Sequence, residues 1–146
     1  MARRILHPTD YSGASRAAFR KAIETAKTSR AELLIAHVMS PVVPVPGEGY
    51  VSPRMYDELA TSSRAWAQKK LDALVAQAKK ARVRTKGFLL EGVPHEEIVR
   101  FARARRVELI VLGTHGRTGL AKLFLGSVAE RVVAAALCPV LTVRGK

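Results

Sequence analysis

Apolar positions along this 146-residue chain alternate between two patterns. Short, nearly continuous apolar runs are the mark of strands buried on both faces. Longer stretches with apolar residues three and four apart are the mark of helices with one buried face. Arg4-Ile5-Leu6-His7 predicts a short strand stopped by Pro8. Ser12 to Ser29 predicts a helix: Ala18, Ala22 and Ala26 follow one row, Phe19 and Ile23 lie beside it, and Ser12 stands at the N-cap. Glu32 to Val38 predicts a second strand, and Arg54 to Ala81 a long helix with Leu71, Leu74, Val75 and Ala78 on one face. Val83 to Leu90 follows as a third strand. Pro94 suits a first helical turn, with Glu96 and Glu97 at the positive end of the dipole and Ile98, Phe101 and Ala102 facing inward. Glu108 to Leu112 predicts a fourth strand, Ser127 to Leu137 a last helix, and Pro139 to Val143 a last strand.

Between the second strand and the long helix, residues 40–53 carry four prolines and two glycines and predict a loop. The pieces on either side need each other to complete a core, so residues 1–146 are expected to form a single domain. Five strands alternating with four helices predict an α/β fold, a parallel sheet with helices on both faces. Ligands of such sheets bind at the carboxyl ends of the strands, where the strand order reverses. Chemistry is therefore expected after Leu6, Val38, Leu90 and Leu112.

Composition narrows the class. With 48% hydrophobic and 25% charged residues the chain reads as globular, neither disordered nor fibrous. Its one cysteine, Cys138, closes no internal bridge. Together with the lack of a long apolar stretch near Met1 or of a membrane-length run, this predicts a cytoplasmic protein with no membrane partner. Charge changes the picture more. The 25 Lys and Arg outnumber the 12 Asp and Glu, a net charge of +13, and most of the excess lies after Ala73. Such a field attracts anions without specifying a fold.

After Leu112 the chain reads Gly113-Thr114-His115-Gly116-Arg117-Thr118-Gly119, and nine residues separate Gly116 from Gly126-Ser127. Gly113 and Gly116 lack a Cβ, so positive φ and close approach to a ligand are open to them. Gly126 and Ser127 open the last helix, whose free N–H groups and dipole favour an anion. Arg117 and Lys122 add positive charge. Together these predict a phosphate cradle built on backbone amides. It is neither a P-loop, since no Gly-Lys-Ser/Thr occurs, nor the dinucleotide fingerprint, whose first tight glycine pair is missing.

The pattern Gly113-x2-Gly116-x9-Gly126-Ser127 resembles the nucleotide-binding signature of the universal stress proteins, spacer included. Ile5-Leu6-His7-Pro8-Thr9-Asp10-Tyr11-Ser12 resembles that family's first strand and aspartate-bearing turn. Glu91-Gly92-Val93-Pro94 resembles the segment after its third strand, and Pro139 to Val143 its closing strand. The resemblance implies strand order 3-2-1-4-5 and an ATP site between the first and fourth strands. It implies phosphate and ribose contacts at Gly113, Gly116, Gly126, Ser127 and the amide of Val128. It places Asp10, with Pro8 and Thr9, beside the nucleotide, and adenine against the backbone at Val38. Leu112 and Arg117 complete the expected site. His7 departs from the family pattern, which has a small or aliphatic residue there.

Other residues have plainer readings. Asp10 is either a contact for the magnesium or manganese carried by ATP or a turn former. His115 is a solvated loop residue or a phosphate contact, and His37 a satisfied core histidine. No histidine spacing suggests zinc. Ser127 is read as helix cap plus phosphate ligand, because no nucleophile elbow surrounds it. Cys138 is read as a small buried hydrophobe. The basic runs Lys79 to Lys86 and Arg103 to Arg106 lack interleaved aromatics, so nucleic acid is not expected as the partner. The resulting expectation is a non-catalytic ATP-binding protein of stress response or signalling. The rival classes are a slow ATPase or self-phosphorylating enzyme, in which Arg117 would assist, and a basic nucleic-acid-binding module. The apolar fifth strand, at a sheet edge, predicts a homodimer through residues 139–144 that Leu141→Pro would dissociate.

Overall fold

The computed structural model describes residues 3–41, 52–114 and 125–145. Its elements run β1 (Arg4–Pro8), α1 (Ser15–Ser29), β2 (Glu32–Met39), α2 (Pro53–Lys80), β3 (Thr85–Glu91), α3 (Pro94–Ala104), β4 (Leu109–Gly113), α4 (Ser127–Ala135) and β5 (Val140–Val143). The five strands form one sheet in the order β3-β2-β1-β4-β5. Every pairing is parallel.

The continuous apolar runs exist because both sheet faces are covered. On one face Ile5, Leu33, Ile35 and Val111 pack against Phe19 and Ala22 of α1 and Leu71 and Ala78 of α2. On the other, Leu6, Leu34, Ala36, Ile110 and Leu112 pack against Ile98 and Ala102 of α3 and Ala129 and Val132 of α4. Leu6, Leu33, Leu34 and Ile35 are fully buried. Each such side chain contributes about 1.5–3 kcal/mol. Gly87 lets α2 lie close on β3: a Cβ there would stand 2.8 Å from Val75 Cγ2.

Element ends differ from the expectation where turn chemistry outweighs periodicity. α1 begins at Ser15, not Ser12, because Tyr11 adopts φ 64° and Ser12 to Ala14 form a turn. Ser12 still helps to start the helix, since its Oγ accepts the Ser15 N–H at 3.2 Å. α2 opens on Pro53, with Ser52 Oγ accepting from the Met55 N–H at 3.2 Å. α4 stops at Ala135, not Leu137, with Ala136 already extended. Pro139 disfavours helix at the residue before it. Of the expected loop at 40–53, residues 42–51 lie outside the described residues.

Candidate functional site

The β1–β4 ladder ends early. Its pairs are Ile5 with Leu109 and Leu6 with Ile110, whereas β1 stays with β2 as far as Pro8 with Ala36. The cause is in the hydrogen-bonding directions. Arg3 O accepts from Glu32 N of β2, and Arg4 O from Glu108 N of β4, so even-numbered residues of β1 face β4. The next rung would run from residue 8 to the carbonyl of Val111, and proline has no N–H to give. His7 supplies the missing donor. Its Nδ1 lies 2.8 Å from Val111 O, and because a carbonyl only accepts, Nδ1 carries the proton. The ring is fully buried, packs 5.7 Å from Phe19, and leaves Nε2 without a partner. Burial pushes its pKa down to about 4, against the opposing pull of the Val111 bond and the Asp10 charge. The imidazole is therefore neutral.

Past this point β1 and β4 part, and a cavity of about 260 Å³ opens between them. Pro8, Thr9, Asp10 and Ser15 form one wall, Leu112, Gly113 and Thr114 another, Ala36 and Val38 a third, and Gly126, Ser127, Val128 and Ala129 a fourth, with Pro94 and Ile98 closing it from α3. The turn on the first wall is stapled by its own side chains. Thr9 Oγ1 accepts the Tyr11 N–H at 3.1 Å, and Asp10 Oδ1 accepts the Ser12 N–H at 2.9 Å. Ser15 Oγ sits 3.2 Å from Thr9 Oγ1. His37 Nδ1–H donates to Thr9 O at 2.8 Å, and the ring stacks on Tyr11 at 4.2 Å. The Tyr11 hydroxyl donates to Ala67 O at 2.8 Å. Tyr11 is a bulky residue in a left-handed conformation, strain of the kind that such networks hold in place at sites.

The opposite wall is a helix start. Gly126 is the N-cap of α4, no side chain caps it, and Ser127 and Val128 open the helix beside the cavity. Gly126 N–H donates to Thr114 O at 2.6 Å, and Thr114 N–H to Val143 O at 3.0 Å, so the helix start is moored to the end of β4. Chemically the cavity joins an apolar slot (Ala36, Val38, Leu112, Ile98), the positive end of a helix dipole, and a single carboxylate, Asp10. That combination suits a flat apolar ring carrying hydroxyls and an anion. Among the described residues no three His, Cys, Asp or Glu are grouped to hold a metal ion. None of the described helices is long and apolar enough to cross a membrane.

Of the expected site residues, Pro8, Thr9, Asp10, Val38, Leu112, Gly113, Gly126, Ser127 and Val128 all line this one cavity. Gly116 and Arg117, like His115 and Lys122, lie outside the described residues. Four readings change. Gly113 does not use positive φ: it closes β4 opposite Val143, and the positive-φ glycine among the described residues is Gly92. Ser127 is the first residue of α4 and not its cap. His37 is half-buried at the β2 end, holding the Thr9 turn. Cys138 is only half-buried, and burial pushes its thiol pKa up. Sequence reasoning missed Ser15, Ala36, Pro94, Ile98, Thr114 and Ala129 as lining residues, and missed His7 as their support. A histidine directly before a proline that ends a central strand was the available signal.

A more open depression of about 610 Å³ lies across Asp10 and Val38, lined by His37, Ser62, Ser63 and Trp66. No helix N-terminus lines it.

Fold and cleft together define a class: parallel α/β proteins whose central strands part over a helix N-terminus. The chain belongs to the universal stress protein family, whose pattern spans residues 1–144. It is 42% identical over 144 residues to a universal stress protein of Methanocaldococcus jannaschii, covering 97% of this chain and 82% of that one. The structure of universal stress protein UspA from Lactobacillus plantarum superposes with a TM-score of 0.82 at 26% identity, covering 97% of both chains. A universal stress protein solved in complex with cAMP shares the fold, with a TM-score of 0.71 at 24% identity and 99% and 98% of the two chains covered.

Proposed function

We propose that this protein binds ATP in the cavity between β1 and β4 and acts as a nucleotide-dependent component of a cytoplasmic stress response, without metabolic turnover. The observation that carries the reading is the meeting of an apolar slot, the Asp10 carboxylate and the uncapped start of α4 in one cavity. Adenine would lie against Val38 and Ala36, the ribose near Asp10, and the phosphates at Gly113, Gly126, Ser127 and the Val128 amide. Gly116 and Arg117 follow in sequence and would extend the phosphate contacts. A magnesium or manganese ion carried by the nucleotide needs only one or two protein carboxylates beside the phosphates, and Asp10 would supply one. The cAMP-bound relative supports an adenine nucleotide as the ligand class.

Ser127→Glu separates binding from folding. An acidic residue in the first turn of a helix is favourable by about 0.3–1 kcal/mol, so α4 is kept. The same charge repels phosphate. Titration calorimetry is expected to show ATP binding to the wild type and at least tenfold weaker binding to the folded variant. Equal affinities, or no heat with wild type, would remove the cavity from the reading. For turnover, Asp10 is the one carboxylate among the described lining residues, and its Oδ1 already accepts the Ser12 N–H. Hydrolysis is accordingly expected far below the ~1–100 s⁻¹ of kinases, as a labelled-phosphate release assay would show.

A further inference from the structure

In a parallel sheet all strands start at one pole, and the helices that return the chain end there. This pole, opposite the cavity, gathers residues that are scattered along the sequence. Arg3 and Arg4 precede or open β1, Lys27 and Arg30 end α1, Lys79 to Lys86 join α2 to β3, and Arg103 to Arg106 join α3 to β4. These segments hold twelve of the chain's 25 cationic side chains and no carboxylate, and Glu32 at the start of β2 and Glu108 before β4 stand beside them. The segments touch: Arg4 Nη1 donates to Arg105 O at 2.8 Å, Arg4 and Lys86 share Glu32 at 3.5 and 3.7 Å, and Arg3 lies 3.9 Å from Glu108.

Helix-end cations have a structural use against the dipole, and Lys27, Lys79, Lys80 and Arg103 meet it. Three arginines go further. α1, α2 and α3 all close with the same Schellman turn, in which Ala31, Val83 and Val107 N–H bond to Ala26, Ala78 and Ala102 O at 2.9, 3.2 and 2.9 Å. The left-handed residue of each turn is an arginine: Arg30 at φ 56°, Arg82 at 67° and Arg106 at 54°. Glycine is the usual and less strained choice there. All three arginines are exposed. The chain thus keeps a cationic side chain, three times, at a position where backbone strain favours glycine. The dipole also does not explain Arg84 and Lys86, which stand before and within β3.

We propose that this pole is a docking surface for the phosphate backbone of a nucleic-acid duplex, bound without regard to sequence. The cations stand on rigid turns before β3, β2, β1 and β4, a span of about 14 Å from three strand spacings. A duplex places about eight phosphates along that length, roughly half of them facing the protein. Single strands are disfavoured, because Phe88 and Phe101 lie under the Arg105 guanidinium at 4.6 and 5.2 Å and are not open for stacking. A lipid surface is disfavoured because Leu137 and, in the last turn of α4, Val133 are the large apolar side chains exposed toward this pole among the described residues. Two such side chains bury far fewer methylenes than the anchors that accompany polybasic patches.

The test is retention of a short mixed-sequence DNA duplex by the full chain across roughly 50–200 mM salt. The wild type is expected to bind with a log–log salt slope of about −3 to −4. The triple variant Arg30→Gly, Arg82→Gly, Arg106→Gly is expected to melt no lower than wild type, to lose more than tenfold in affinity, and to flatten the slope by about 2 to 3. Arg84→Gln with Lys86→Gln, outside the caps, should also weaken binding. Saturating ATP should leave retention unchanged, since the cavity lies at the other pole. Absence of duplex binding, equal binding by wild type and both variants, displacement by ATP, or capture by phosphatidylglycerol vesicles in place of the duplex would each overturn the proposal.

Discussion

The His7 imidazole ties stability to pH. It is neutral in the fold with a pKa of about 4, whereas an unfolded histidine titrates near 6.5. Between those values the unfolded chain binds the extra proton, so stability is full above about pH 6.5 and falls as pH drops toward 4. The shift corresponds to about 3 kcal/mol. Urea unfolding of wild type at pH 7 and pH 4 should show a loss of that order from this residue, and His7→Asn should remove most of that pH dependence. An amide at residue 7 can still donate to Val111 O, whereas His7→Leu leaves that carbonyl orphaned at about 1–3 kcal/mol. An unchanged pH slope in His7→Asn would exclude the imidazole as its source. Individual positions were unevenly legible. Asp10, Gly126 and Ser127 were readable because their spacing is a motif. The role of His7 depends on Val111, 104 residues away in sequence, and on which side of β1 each rung faces.

At the scale of elements, apolar periodicity was sufficient to find all five strands and four helices, because the strands are buried on both faces and each helix on one. Their ends were less legible, since short-range bonds decide them. The Thr9–Ser15 turn delays α1 by three residues, and Arg82 at φ 67° delays β3 to Thr85. Gly87 illustrates a packing constraint that no local pattern reveals. A valine there would drive into Val75 and Leu71 of α2. Gly87→Val is expected to destabilise by about 1–3 kcal/mol, read as a lower urea midpoint, with the long helix displaced from β3. An unchanged midpoint would mean that α2 slides freely on the sheet.

For the whole molecule, the order β3-β2-β1-β4-β5 leaves β5 as an edge. Association through it is proposed from its unpaired backbone groups, and the hydrogen-bond directions correct where to interrupt it. Pro139 O and Val143 O accept from Ile110 N and Thr114 N of β4, so odd-numbered residues face inward and Val140 and Thr142 face the edge. Leu141→Pro would break the internal ladder. Thr142→Pro removes an outward donor instead, and light scattering should show a homodimer for wild type and a folded monomer for the variant. A wild-type mass of one chain would sink this interface. Nucleotide binding is placed elsewhere, at the carboxyl ends of the strands, in the cavity where β1 and β4 part. Amide chemical shifts of the labelled protein, followed while ATP is added, report on that placement residue by residue. The largest shifts among the described residues are expected at Thr9, Asp10, Gly113, Thr114 and Gly126 to Val128. Shifts centred on Ser62, Ser63 and Trp66 across the sheet, or none at saturating ATP, would contradict it.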